Sequence, residues 1–246
     1  MLRNEVVSGD EWVAARVELL RREKELTRLQ DALARERRTL PWVLVTQDYE
    51  FDGPEGKVTL GDLFGARSQL AVYHFMFDPE WEQGCKSCSL AADHFEPSVL
   101  HLTQRDVSFA AVSRAPAEKL MAFQKRMGWK FRWVSSFGNS FNRDFAVTFT
   151  PEEVAARATH YNYQLKPFGQ TEAPGLSVFV RDEDGAIFHT YSCYGRGLEW
   201  LLGVYGFLDR VPKGRDEAEL PYGMEWVRHH DRYETAAVNF PTPAGR

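Results

Sequence analysis

Cysteine is scarce in this chain, with three among 246 residues. That number cannot build a disulfide framework, so a small disulfide-stapled secreted fold is not expected. No apolar run approaches the roughly 20 residues of a membrane-spanning helix. Residues 1–5, Met-Leu-Arg-Asn-Glu, lack the apolar core of a secretory signal. The expected location is therefore cytoplasmic, where thiols rest reduced. Basic charge is not in excess either: 30 Lys and Arg stand against 35 Asp and Glu, a net charge of −5. That balance argues against a nucleic-acid partner, which needs a cationic surface to displace counterions, and no membrane partner is expected. Internal repeats and low-complexity tracts are also missing.

What is present is one spacing of two cysteines, Cys85-Lys86-Ser87-Cys88. An apolar run at residues 70–77 (Leu-Ala-Val-Tyr-His-Phe-Met-Phe) precedes it and reads as a central strand covered on both faces. A helical pattern follows, from Ser89 to about Leu102. In a CxxC that opens a helix, the first sulfur sits near the free N–H groups of the first turn, which favour a thiolate. Cys85 is then the attacking thiol and Cys88 the resolving one. Lys86 adds a positive charge beside Cys85, while Glu82 opposes it. A zinc site would need a second Cys/His pair. His94 and His101 lie seven apart and would have to fold back, so no metal and no cofactor are implied.

The remaining pattern supplies a frame. Ser8 and Glu11 form a capping box, and residues 8–38 read as one long helix. Trp12, Leu19, Leu26, Leu33 and Leu40 recur every seven residues, but Arg16, Glu23 and Gln30 are polar where a coiled-coil seam would continue. The helix either lies along its own domain or joins a homodimer through residues 8–38. A hairpin is expected over residues 49–60 and a short helical turn over 61–65. Residues 107–113 form the next strand, joined to the strand at 70–77 by the CxxC helix in a parallel β-α-β unit with right-handed crossover, and residues 116–127 form a helix. Residues 176–180 and 186–192 make an antiparallel hairpin around Asp182-Glu183-Asp184-Gly185, and a helix follows over 197–208. The division is a helical arm (1–40), a domain (41–210) with an insertion at about 128–172, and a surface tail (211–246).

This order resembles the thioredoxin fold: α/β, a mixed central sheet flanked by helices, here with a long N-terminal helix and an insertion before the last hairpin. The resemblance implies roles for further residues. Ala173-Pro174 stands where such proteins carry a cis-proline against the CxxC, with the neighbouring backbone pairing to substrate. Trp81 matches the aromatic that commonly precedes the motif. His74 falls near the buried acid that relays a proton to the second cysteine, although a packed core histidine fits as well. Arg114, after a parallel strand's C-terminal end, is placed to steer an anionic substrate or support a thiolate. The segment 58–64 is similar to the peroxiredoxin branch, yet Glu82 stands where peroxiredoxins carry Thr or Ser. Along nearly its full length the chain resembles domain-of-unknown-function family 899. That match rests on the early helix, residues 84–89, 137–145 and 174–179, and His189-Thr190-Tyr191-Ser192.

The family resemblance implies a dithiol–disulfide oxidoreductase. Its partners would be a disulfide or peroxide substrate and a thiol electron donor. A thiol peroxidase and a non-catalytic thioredoxin-like binding module are the alternatives. Cys193 reads as a packed bystander, His229-His230-Asp231 as a solvated run, and Asn139, Asn142 and Arg143 as a polar cluster able to line a pocket.

Overall fold

A computed structural model describes residues 4–234. Residues 235–246 of the expected tail, and the first three residues, lie outside the described part. The long helix α1 (Gly9–Arg37) begins at the predicted Ser8–Glu11 capping box. After it come β1 (Val43–Leu44), the hairpin β2 (Glu50–Gly53) and β3 (Gly56–Thr59), and the short α2 (Leu60–Leu63). The apolar run forms β4 (Gln69–His74). Helices α3 (Lys86–Ala92) and α4 (Phe95–Thr103) lead to β5 (Val107–Ser113) and α5 (Ala117–Met127). Gly128 closes α5 at φ 70°, the left-handed conformation a glycine adopts without a Cβ clash.

Two predicted helices are broken. The pattern after Cys88 divides at Asp93–His94, because Pro97 has no N–H to give and its ring collides with the carbonyl four residues back. The stretch after the last hairpin is a 3₁₀ helix (Gly195–Leu201) and then α8 (Gly203–Leu208). Gly203 sits so close to the His94 ring that a Cβ would come within 3.1 Å of it.

Residues 128–172 are not one insertion. Arg132–Ser135 is β6, a strand of the main sheet pairing parallel with β5. The short α6 (Phe141–Asp144) and α7 (Pro151–Ala155) and a separate hairpin, β7 (Thr159–Tyr161) with β8 (Gln164–Lys166), make up the rest. The chain then returns as β9 (Gly175–Arg181) and β10 (Ile187–Tyr194).

The main sheet runs β1-β10-β9-β4-β5-β6-β2-β3. Its centre, β10-β9-β4-β5, has β4 parallel to β5 and antiparallel to β9, with helices after β4, β5 and β10. This is the thioredoxin-like arrangement. One face carries Tyr73, Phe75, Phe109, Trp133 and Leu176 against α3, α4 and α5. The other carries Leu70, Val72, Val112, Val134 and Phe179 against α2 and α6. Among the described residues no helix is long and apolar enough to cross a membrane.

Candidate functional site

Cys85 is the N-cap residue of α3, set just beyond the end of β4. Its amide donates to the carbonyl of Met76 at 3.0 Å, which ties the start of the helix to the strand. Its Sγ accepts the amide of Cys88 at 3.5 Å. Cys85 is half-buried, Cys88 is buried, and both are free thiols. The hydrogen bond from the Cys88 thiol, the amides of Cys88 and Ser87, and the Lys86 charge together bring Cys85 down to about 7 against the pull of burial. Burial and the neighbouring Cys85 charge push Cys88 well up. The pair is thus divided into one accessible sulfur that ionises near neutrality and one enclosed sulfur that keeps its proton.

Of the two readings of His74, relay and packed core histidine, the geometry matches the second. Successive side chains of a strand point to opposite faces. His74 lies on the face away from the cysteines, its Nε2 2.8 Å from Ser177 Oγ and its ring stacked on Phe145. Burial drives it down to about 3, so it is neutral. Tyr73, one residue earlier, faces the site: its phenol lies beside Cys88 and favours that thiolate. Sequence reasoning missed it, although period-two alternation permits only one of the two neighbours to face α3.

A cavity of about 290 Å³ opens on both thiols, lined also by Tyr73, Met76, Pro174, Leu198 and Met224. Pro174 shares this cavity with the two thiols. The expected cis bond is absent: among the described residues every peptide bond is trans. The approach to Pro174 is held extended from both sides. The Ala173 amide donates to Val147 O at 2.8 Å, and the Tyr161 hydroxyl donates to Pro174 O at 2.7 Å. Ala173 is buried, and its N–H is not free to pair with a substrate.

Trp81 and Arg114 are not in this cavity. They line another, of about 740 Å³, with Asp78, Arg143, Thr148 and Thr171. Arg114 lies there as an ion pair, Nη2 3.3 Å from Asp78 and Nε 2.9 Å from Glu172. Glu172 is buried and is pushed up to about 7 by burial, against the opposing Arg114 charge and the Thr148 hydroxyl. Asn142 is buried between Ser136 and Glu172, Asn139 caps the turn into α6, and Arg143 pairs with Glu153. These three therefore serve separate local roles. Glu82 is exposed and makes no side-chain hydrogen bond or ion pair among the described residues. Cys193 is buried in the core that holds Cys88, its thiol pushed up by burial. His94 and His101 stand along a different, apolar groove.

The tail is the largest departure from the sequence reading. Val227 is fully buried and anchors it. His229 Nε2 donates to the carbonyl of Gly84, immediately before Cys85, at 2.9 Å. Asp231 pairs with Arg126 at 2.8 Å, and His230 meets Asp93 at 2.7 Å. Lys86 donates to Glu225 O at 2.8 Å and lies over the Tyr222 ring, so its charge is held by the tail. The segment 222–232 is a strap beside the thiols and not a solvated run.

Comparison with solved structures finds peroxiredoxins. A peroxidoxin BcpB from Mycobacterium tuberculosis is 15% identical, over 67% of this chain and 94% of that one, with a TM-score of 0.44. A mutant of Xanthomonas campestris peroxiredoxin Q is 14% identical, over 68% and 98%, with a TM-score of 0.45. The mitochondrial 2-Cys peroxiredoxin of Plasmodium falciparum is 10% identical, over 68% and 92%, with a TM-score of 0.40. No curated protein matches the chain. A family model described as "Bacterial protein of unknown function (DUF899)" matches residues 1–233, and the chain belongs to that family.

Proposed function

We propose that this protein is a thiol–disulfide oxidoreductase acting on small disulfides. The observation that carries the reading is the Cys85 Sγ held by the Cys88 amide at the start of α3, with Cys88 enclosed behind it. The Cys85 thiolate attacks one sulfur of a disulfide, forming a mixed disulfide and expelling the other half as a thiolate. Cys88 then loses its proton, attacks Cys85 Sγ and releases the second thiolate. The protein ends with a Cys85–Cys88 disulfide and the substrate with two thiols. Tyr73 favours the Cys88 thiolate as the second step needs it. An external thiol donor returns the pair to the reduced form.

The small size of the cavity at the thiols, about 290 Å³, and the strap beside residues 84–86 favour a small substrate over a folded protein. Nothing at Glu82 or Arg114 favours the peroxidase alternative: Glu82 is an exposed acid, and Arg114 lines the other cavity. The test is to mix the reduced protein with bis(2-hydroxyethyl) disulfide, with insulin and with hydrogen peroxide in separate arms. The expected result is fast reduction of the small disulfide with formation of one Cys85–Cys88 bond. Cys85→Ser abolishes it, and Cys88→Ser stops at the mixed disulfide on Cys85. Faster consumption of peroxide, with sulfenic acid on Cys85, assigns a peroxidase instead. Inertness in all three arms leaves a binding module.

A further inference from the structure

The cavity at the thiols is mostly apolar, and the charged side chains lining it are Arg196 and Glu199, both on the 3₁₀ helix Gly195–Leu201. Their charges do not cancel at its rim. Glu199 receives Arg196 Nε at 2.8 Å and Arg215 Nη2 at 3.4 Å, so two guanidinium groups meet one carboxylate. Arg196, and then Arg215, hold that carboxyl below its usual range. Arg215 is turned toward Asp209, at 2.6 Å, and neither of these two lines the cavity. The Arg196 side chain is 86% exposed, and its Nη1 makes no hydrogen bond among the described residues. Lys86 is a second cation near Cys85, and the group that receives it is a carbonyl, Glu225 O, not a carboxylate. Glu82 does not line the cavity.

We propose that Arg196 selects disulfides whose arms end in a carboxylate. This rests on the exchange proposed for Cys85 and Cys88 and adds the chemical class of its substrate. Arg196 Nε and Nη2 both donate to Glu199, at 2.8 and 3.3 Å, which fixes the planar guanidinium from one side and leaves the Nη1 edge outward. A substrate carboxylate takes that edge in a charge-assisted hydrogen bond. The disulfide lies a few bonds away, within reach of Cys85 Sγ in the same cavity of about 290 Å³. Leu198, Leu202 and Met224 line the space for the methylene arms. The Cys85 Sγ–S bond forms as the substrate S–S bond breaks, and the expelled half leaves as a thiolate that keeps its carboxylate. A disulfide with ammonium-ended arms meets the like charges of Arg196 and Lys86 instead.

Disulfides with the same two-carbon arms separate charge from shape: 3,3′-dithiodipropionate, bis(2-hydroxyethyl) disulfide and cystamine. Each is mixed with the reduced full chain, and its rate is divided by its rate with dithiothreitol to remove differences in intrinsic reactivity. The anionic disulfide is expected to exceed the neutral one about fivefold, with cystamine slowest. Arg196→Ala should bring that ratio near one, Arg196→Glu reverse it and Arg196→Lys keep part of it. Arg105→Ala, which removes an exposed arginine of the separate apolar groove, should keep it, so that net charge alone is not the cause. Alkylation by iodoacetate against iodoacetamide reads the same preference at Cys85 without disulfide exchange. An iodoacetate preference that Arg196→Ala does not lower overturns the proposal, as does a loss equally large in Arg105→Ala. A neutral disulfide that closes the Cys85–Cys88 bond while the anionic one gains nothing overturns it and leaves the exchange reading standing. No reaction with any disulfide overturns both.

Discussion

Tyr73 and His74 are adjacent in the chain and serve opposite faces of the sheet: the phenol lies beside Cys88, and the imidazole meets Ser177 at 2.8 Å. The two residues therefore have separable effects. Tyr73→Phe is expected to leave melting nearly unchanged and to slow closure of the Cys85–Cys88 disulfide from a mixed disulfide, as followed by quenched-flow alkylation. His74→Ala is expected to cost about 2–4 kcal/mol in urea unfolding, from the cavity and the lost hydrogen bond to Ser177, whose hydroxyl keeps Ser192 at 2.8 Å. It leaves Cys85 reactivity as it was. A closure rate that falls with His74→Ala and not with Tyr73→Phe would restore the histidine relay.

Cys85 ionises near pH 7, against about 8.5 for an ordinary cysteine. Its thiolate is the favoured form in the fold and takes up its proton as pH falls through 7. The rate of alkylation by iodoacetamide should therefore be half-maximal near pH 7 and drop about tenfold per unit below it. The largest cause is the Cys88 side chain. Cys88→Ala should accordingly move the midpoint upward, whereas Cys88→Ser, which keeps a donor, should move it less.

Glu172 gives the opposite dependence. Its folded-state carboxyl is raised to about 7 by burial, so the folded protein holds that proton more strongly than the unfolded chain does. The associated stability is full below about pH 4.5 and is lost as pH rises toward 7, by on the order of 3 kcal/mol. Urea unfolding at pH 5 and pH 8 checks this. Glu172→Gln should lose that part of the pH dependence, and an unchanged slope would place the buried proton elsewhere.

The thioredoxin-like frame was legible because its signals are local. An apolar run, a CxxC and a helix start follow one another within residues 70–92, and the Asp182–Gly185 turn marks the final hairpin. The face of β4 that meets the thiols was not legible, because a strand covered on both sides shows no alternation. Glu172 carries no signal in the sequence, because the groups enclosing it, Asn142 and Thr148, are 30 and 24 residues away in the chain. The strap was hidden for a similar reason. Val227 and His229 sit among charged residues without periodicity, and only their contacts with the core show what they do.

Gly84 joins the strap to the nucleophile. A Cβ there would come within 2.7 Å of the Phe75 ring and 3.1 Å of the Phe123 ring, both held in the core. Gly84→Ala should therefore cost about 1–3 kcal/mol in urea unfolding. It should also shift the Cys85 alkylation midpoint, since the carbonyl bonded to His229 and the cap of α3 move together. A variant with wild-type stability and midpoint would show that the close approach does not set the site.

The most direct measurement of the account is the redox equilibrium of Cys85 and Cys88. The protein is equilibrated against graded glutathione buffers, alkylated and weighed. The account predicts one reversible two-electron couple confined to Cys85 and Cys88, with Cys193 alkylated throughout. Its midpoint should fall between about −180 and −300 mV, the range of dithiol proteins whose attacking thiol ionises near neutrality. A pair that stays reduced at every ratio, or oxidises only irreversibly, would contradict it.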